Sequence, residues 1–301
     1  IFNYFYMGLK LSRKIRNLRN FFLVSLEKKS LLLYKIVIIP FSVLKFIYKK
    51  NHKKSYHKYS DNLDNINKYE FKKTSQNNED GIIEYIFNKI ELKKINFVEI
   101  GFDYYENNSL NFLDKVNKGL YIDGSKDKIF LLKNIIKLLY PFKKIKVLSK
   151  LIDRDNLNEI INNYFNELEI DFFSIDVDGN DYYLFENLKI RPKIICIEYN
   201  FWFGPNIKCS IPYDKYFIWK KGSLYSGASL NALCSLAKKR GYYLIALDSN
   251  CVNAFFIRSD LKNKFEIIDN IKSFKTPKKY PINDIIKARE KLLNTRLHLF
   301  K

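Results

Sequence analysis

Between residues 96 and 257 short apolar runs alternate with amphipathic stretches, and no other feature constrains the fold so strongly. The runs at 96–101, 119–123, 145–148, 172–177 and 193–198 have strand length and are rich in Ile, Val and Phe. Between the early ones, stretches at 110–116, 127–139, 157–168 and 182–188 repeat apolar residues at helical spacing. Strands joined through helices pair in parallel with right-handed crossovers. Two further runs, 242–247 and 254–257, are separated by too few residues for a crossover and should form an antiparallel hairpin. The expected fold is α/β: a Rossmann-like, seven-stranded, mostly parallel sheet with a terminal antiparallel strand, spanning residues 75–261. It opens on a helix carrying Ile82, Ile83, Ile86 and Phe87, with Ser75, Asn78 or Glu79 at its cap. A helix at 282–299 belongs to a C-terminal extension, residues 262–301.

The net charge of +21 is unevenly spread. Residues 1–58 hold fourteen Lys and Arg against the single acid Glu27, whereas the remainder is mildly basic, as a lysine-rich composition makes any chain. In this basic helical leader Leu11, Ile15, Leu18, Phe22 and Leu26 recur at helical spacing, and a second apolar run at 31–48 is interrupted by Lys35, Pro40 and Lys45. A bilayer-spanning helix takes ~20 mostly apolar residues, so that run is marginal. Two readings stand: a helical pair lying peripherally on an anionic membrane surface, or one packed on protein. Residues 59–74 read as a polar linker. Cys196, Cys209, Cys234 and Cys251 form no CxxC pair, which favours reduced thiols in the cytoplasm, with the leader on the inner membrane face. His52, His57 and His298 lie outside the domain, leaving acid–base chemistry to carboxylates, tyrosines or lysines. With the excess charge confined to the leader, no nucleic-acid partner is expected.

In an open parallel sheet, ligands collect beyond the carboxyl ends of the strands. Here those ends are acidic: Glu99 and Gly101 finish the first strand, Asp123 and Gly124 the second, Asp176 and Asp178 the fourth, Glu198 and Asn200 the fifth. An acid after the second strand can accept both ribose hydroxyls, and a glycine after the first lets backbone approach a ligand. Taken singly, each acid reads equally well as a solvated residue or a helix cap. Together they point to a nucleoside-cofactor site centred on Asp123.

Several motifs then come in order: Ser75-Gln76 with Glu79-Asp80-Gly81, Phe97-Val98-Glu99-Ile100-Gly101, Tyr121-Ile122-Asp123-Gly124, and Ser174-Ile175-Asp176-Val177-Asp178-Gly179-Asn180-Asp181-Tyr182. Ile197-Glu198-Tyr199-Asn200 with Phe203-Gly204-Pro205, Tyr225 with Gly227-Ala228-Ser229-Leu230, and Asn250 through Phe256 extend the string. As a whole it resembles the FkbM-type methyltransferases across residues 75–261. The resemblance implies the class I methyltransferase fold, S-adenosylmethionine as cofactor, and O-methylation of a sugar or glycan-type hydroxyl in surface-polysaccharide or related biosynthesis. It implies that the Glu99–Gly101 turn faces the methionine part of the cofactor, Asp123 its ribose, and the stretch from Asp153 to Asn156, with Asp155 and Asn156, its adenine; Asp103 and Gly124 join the cofactor-binding set. The chain departs from the family after Gly101, where Phe102-Asp103-Tyr104-Tyr105 follows in place of a second glycine; that restricts close backbone approach and leaves a non-catalytic member of the fold as an alternative.

O-methylation needs an aligned hydroxyl and a carboxylate to take its proton, for which Asp176, Asp178 and Glu198 are the candidates. Tyr199, Asn200, Trp202 and Tyr225 are candidates for holding a small-molecule or glycan acceptor, and the faces of Tyr199 and Trp202 suit a sulfonium, although aromatics this frequent are more often core. Asp176-Val177-Asp178 also spells the DxD with which glycosyltransferases hold a divalent ion on a nucleotide sugar. The surrounding motifs favour methyl transfer without a metal. An EF-hand loop is excluded, since glycine falls at the fourth position and no Glu closes the twelfth.

Overall fold

The computed structural model describes residues 31–51, 55–56 and 66–300. Its centre is a seven-stranded sheet of β1 (Ile95–Ile100), β2 (Val116–Asp123), β3 (Lys144–Ser149), β4 (Phe172–Ile175), β5 (Ile194–Glu198), β6 (Tyr242–Leu247) and β7 (Asn253–Arg258). The order across the sheet is β3-β2-β1-β4-β5-β7-β6. Strands β1 to β5 pair in parallel, and β7 runs antiparallel to both β5 and β6. The expected sheet and hairpin are therefore present. The last strand lies inside the sheet: the crossover from β5 sets β6 one strand-width away, and the hairpin returns into the gap.

Six helices attend it: α1 (Glu79–Lys89), α2 (Lys126–Leu139), α3 (Leu157–Phe165), α4 (Asp181–Asn187), α5 (Leu230–Lys239) and α6 (Ile282–Leu293). Alternation along the strands assigns the faces. Val98, Ile100, Leu120, Ile122, Phe173 and Ile175 pack on one side with Leu157 and Ile161 of α3, Leu184 of α4 and Leu233 of α5. On the other side Phe97, Tyr121 and Phe172 meet Phe87 of α1 and Phe112 through edge-to-face ring contacts. Glu99 shares this second face with Phe97, so a carboxylate enters an aromatic layer and must be hydrogen-bonded there.

Several elements differ from expectation. The stretch at 110–116 is a 3-10 segment, Leu110–Lys115, and Val116 already belongs to β2. Helix α3 stops at Phe165 because Asn166 and Glu167 both take the left-handed conformation. Helix α6 ends at Leu293, and His298–Leu299 instead forms a short antiparallel pair with Cys209–Ser210. Helix α5 has no counterpart among the expectations. Asn78 precedes α1 without a side-chain cap; Ser75 Oγ accepts the Asp80 N–H at 3.1 Å, and the Asp80 carboxylate accepts the N–H groups of Lys73, Thr74 and Ser75.

The chain divides into two compact units after Tyr48. Residues 66–74, read as linker, lie in the second unit with the sheet, as does the C-terminal stretch. Buried Glu70 accepts both the N–H and the hydroxyl of Ser249, at 3.0 and 2.6 Å, which fastens this segment to the β6–β7 turn. The helix expected at residues 11–26 lies outside the described residues. The helix Leu31–Asn51 runs unbroken through Pro40, with Phe41, Leu44 and Ile47 exposed. Among the described residues no helix is long and apolar enough to cross a membrane.

Candidate functional site

The ends of β2, β1 and β4 are tied at one point, where Gly101 N donates to Ile122 O and Asp176 N donates to Ile100 O, each at 2.9 Å. Gly101 has φ +72°, and a Cβ there would lie 1.6 Å from the Asp176 carbonyl oxygen. Glycine is thus demanded by the close approach of two strand ends as well as by φ. Phe102, which follows Gly101 where the resemblance led to a second glycine, is not among the positive-φ residues; its ring is buried against Tyr121. The turn needs only one glycine.

Glu99 lines the cavity beyond this turn, yet its hydrogen bonds go to the loop that follows. It accepts the N–H groups of Asn108 at 2.9 Å and Ser109 at 3.0 Å, and the Ser109 hydroxyl. Burial pushes its carboxyl up to about 7 against the downward pull of those bonds. Asp123 ends β2 and accepts from Phe102 N at 3.2 Å and Ser125 N at 2.6 Å, with Lys128 Nζ 3.5 Å away. One carboxylate therefore fixes the turn after β1 relative to the start of α2, where Ser125 caps Lys128 N. A Cβ on Gly124 would meet only the Leu151 side chain, at an ordinary 3.7 Å. Neither packing nor φ requires that glycine, and its bare backbone faces the cavity.

After β4 the loop is drawn in by Asp181, whose carboxylate accepts Val177 N at 2.8 Å and Gly179 N at 2.9 Å. This leaves Asp178 in the left-handed conformation at φ +59°. Carboxylate oxygens of Asp176, Asp178 and Glu198 all lie within 4.8 Å of one another, close enough to share a divalent cation. Burial, then the charges of Asp178 and Asp181, push the Asp176 carboxyl well above its usual range; burial and the charges of Asp176 and Asp181 do the same to Glu198. Asp178 is raised by burial, with Lys128 opposing.

Two cavities meet at this cluster. The larger, about 370 Å³, contains Glu99, Gly101, Asp103, Asp123, Gly124, Asp176 and Asp178 of the expected residues. Seven carboxylates and three lysines line it, a reversal of sign in a chain of net charge +21. Asp155 and Asn156 do not line it, whereas Leu151 and Ile152 do. The N–H groups of Asp155 and Asn156 both donate to Asp153, whose buried carboxylate is held below its usual range by Lys215 at 2.8 Å although burial works the other way. The smaller cavity, about 170 Å³, contains Asp178, Glu198, Tyr199, Asn200 and Trp202. Asn200 is spent on its own loop, accepting Trp202 N and donating to the carbonyls of Leu224 and Ser226. Tyr225 lies elsewhere, on an open concavity beside α6, with its hydroxyl donated to Arg296 O at 2.7 Å.

Reading the sequence missed Glu79, Lys128, Lys215 and Asn253 as cavity residues and Asp181 as the loop anchor. Glu79, Asp181 and Asn253 stand inside the motifs that carry the resemblance. Lys215 carried no signal, because its partner Asp153 is far away in sequence.

No family model and no curated protein sequence matches the chain. Solved structures similar to it include an S-adenosylmethionine-dependent methyltransferase from Clostridium acetobutylicum, at 12% identity over 59% of this chain and 89% of that one, with a TM-score of 0.39. Magnesium protoporphyrin IX methyltransferase from Synechocystis is similar at 8% identity over 60% and 81%, with a TM-score of 0.39. TrmK of M. capricolum is similar at 18% identity over 68% and 82%, with a TM-score of 0.36. At such scores the likeness says nothing about what this chain binds.

Proposed function

We propose that the protein is an S-adenosylmethionine-dependent O-methyltransferase of the FkbM type, acting on a sugar or glycan-type hydroxyl. The observation that carries this reading is the position of Asp178, which lines both the larger, carboxylate-rich cavity and the smaller, aromatic one. The sheet order, with reversed β7 between β5 and β6, agrees with the class I arrangement that the motifs imply. The larger cavity fits the cofactor by its own chemistry. The Gly124 backbone leaves room that a side chain would fill, Asp123 stands where a ribose is held, and the surplus of carboxylates suits a cation.

When bound, S-adenosylmethionine supplies an activated methyl group for in-line displacement. The chain's own residues do the rest. Trp202, Phe201 and Trp219 line the smaller cavity and offer faces for the apolar side of a sugar ring. Asp178 and Glu198 reach into that cavity, where either carboxylate, once ionised, is placed to take the proton of an acceptor hydroxyl. Lys128 beside Asp123 and the segment carrying Lys215 and Phe217 border the larger cavity and restrict water there.

Titration calorimetry with S-adenosylhomocysteine tests this: binding to the parent protein and none to Asp123→Ala are expected, and no heat from the parent would sink the reading. The spacing of Asp176, Asp178 and Glu198 favours a second reading, a metal-dependent glycosyltransferase. Under it, manganese would promote binding of a nucleotide sugar, and Asp178→Ala would abolish it.

A further inference from the structure

Residues 214–221, Asp-Lys-Tyr-Phe-Ile-Trp-Lys-Lys, border both cavities, and from 215 to 219 alternate residues face opposite ways. The odd ones hold the segment down. Lys215 is paired with buried Asp153, the Phe217 ring lies where a Cβ on Gly179 would come within 2.4 Å, and Trp219 lines the smaller cavity while donating Nε1–H to Ser223 O at 2.9 Å. Asn180 adds a hydrogen bond to Asp214 O at 2.7 Å. Between these anchors Tyr216 is 75% exposed and Ile218 82% exposed, and Leu151, which lines the larger cavity with Lys215 and Phe217, is 52% exposed.

A segment pinned at alternate residues presents its other side chains in a fixed direction, and here they are large and apolar. Contiguous exposed apolar groups on a soluble surface mark a place that something else covers. Three features identify the cover. Tyr216, on the outward side, is an amphipathic aromatic of the kind enriched at the headgroup level of bilayers. Lys220 and Lys221 follow directly in the sequence, and Lys150 adjoins Leu151, so lysines stand next to the apolar residues along the chain. A second copy of this chain seated patch to patch would bring the same lysines, Lys220 and Lys221, against each other.

We propose that residues 216–221 dock the mouth of the site onto an anionic lipid bilayer. Tyr216 and Ile218 enter the boundary between headgroups and acyl chains, and Lys220 and Lys221 meet lipid phosphates. The docking is independent of which group the site transfers. It turns the opening of both cavities toward molecules carried in that membrane.

The full chain is sedimented with phosphatidylcholine vesicles, with and without about 30% phosphatidylglycerol. Trp219 emission is read in a Trp202→Phe background, where it is the sole tryptophan. The expected results are binding only to the anionic vesicles, a blue shift of Trp219 on binding, and loss of affinity by at least ~10-fold in Tyr216→Ser/Ile218→Ser and in Lys220→Glu/Lys221→Glu. These side chains are exposed, so circular dichroism should match the parent. Vesicle binding that persists in both variants, through the basic leader or elsewhere, overturns the proposal, as does unmoved Trp219 emission. Self-association of the parent that the variants lose would assign the patch to a second copy and overturn it as well.

Discussion

At Gly101 two demands coincide, a left-handed φ and a neighbouring carbonyl with no room for a methyl group. Replacing it with alanine would force β1 and β4 apart at the point where both cavity-forming turns begin. Gly101→Ala should therefore cost at least ~3 kcal/mol of stability, read as a lower denaturant midpoint with an unchanged m-value. An alanine variant as stable as the parent would show that the turn can open without loss. Gly101 and Asp123 were legible in the sequence because the end of a parallel strand is a position that local pattern reveals. The roles of Glu99 and Asn200 were not, although both residues were singled out. Each spends its side chain on backbone groups of a loop, and only the folded path of that loop shows it.

Elements that obey a period were readable, and those that close a loop were not. The five parallel strands and the hairpin follow from alternation and spacing alone. Helix α5 was equally readable, since Leu230, Leu233, Leu236 and Ala237 recur at helical spacing, yet it was absorbed into the motif ending at Leu230. Its start depends on Ser229, whose Oγ accepts Ala232 N at 3.2 Å and also Cys209 N at 3.1 Å. The same hydroxyl thus caps the helix and holds the short strand that leads into the segment over the site. Ser229→Ala leaves two buried N–H groups without their acceptor and should destabilise by about 1–3 kcal/mol, at or above the usual loss for a helix cap. Urea unfolding checks this, and a loss near zero would mean the loop re-forms without the bond. The segment from 211 to 226 shows no apolar alternation in its sequence, since Tyr216 to Trp219 are aromatic or aliphatic on both sides. Its position comes from long-range pairs such as Lys215 with Asp153, which no local pattern encodes.

Across the whole molecule charge is segregated, with carboxylates gathered around one cavity in an otherwise basic chain. Glu99 titrates near about 7 instead of 4.5, and burial raises Glu79, Asp176 and Glu198 as well. An acid with a raised folded-state value holds its proton more tightly folded than unfolded. Its contribution to stability is complete below the unfolded value and is lost as pH rises through the folded one. For Glu99 that window runs from 4.5 to about 7, and the loss is at most ~3 kcal/mol. The ligand-free protein should therefore weaken as pH rises across this window. A fixed cation in the cavity favours the ionised carboxylates, so its stabilising effect should grow over the same range. S-adenosylmethionine carries a sulfonium where S-adenosylhomocysteine carries a neutral thioether, and the pair isolates that charge. Thermal melts between about pH 5 and 8 should show the shift from S-adenosylmethionine exceeding that from S-adenosylhomocysteine by a margin that widens with pH. Equal shifts at every pH would place the sulfonium outside the field of the carboxylates, and the acidic lining would then need another purpose, with the cation-sharing spacing of Asp176, Asp178 and Glu198 the first to examine.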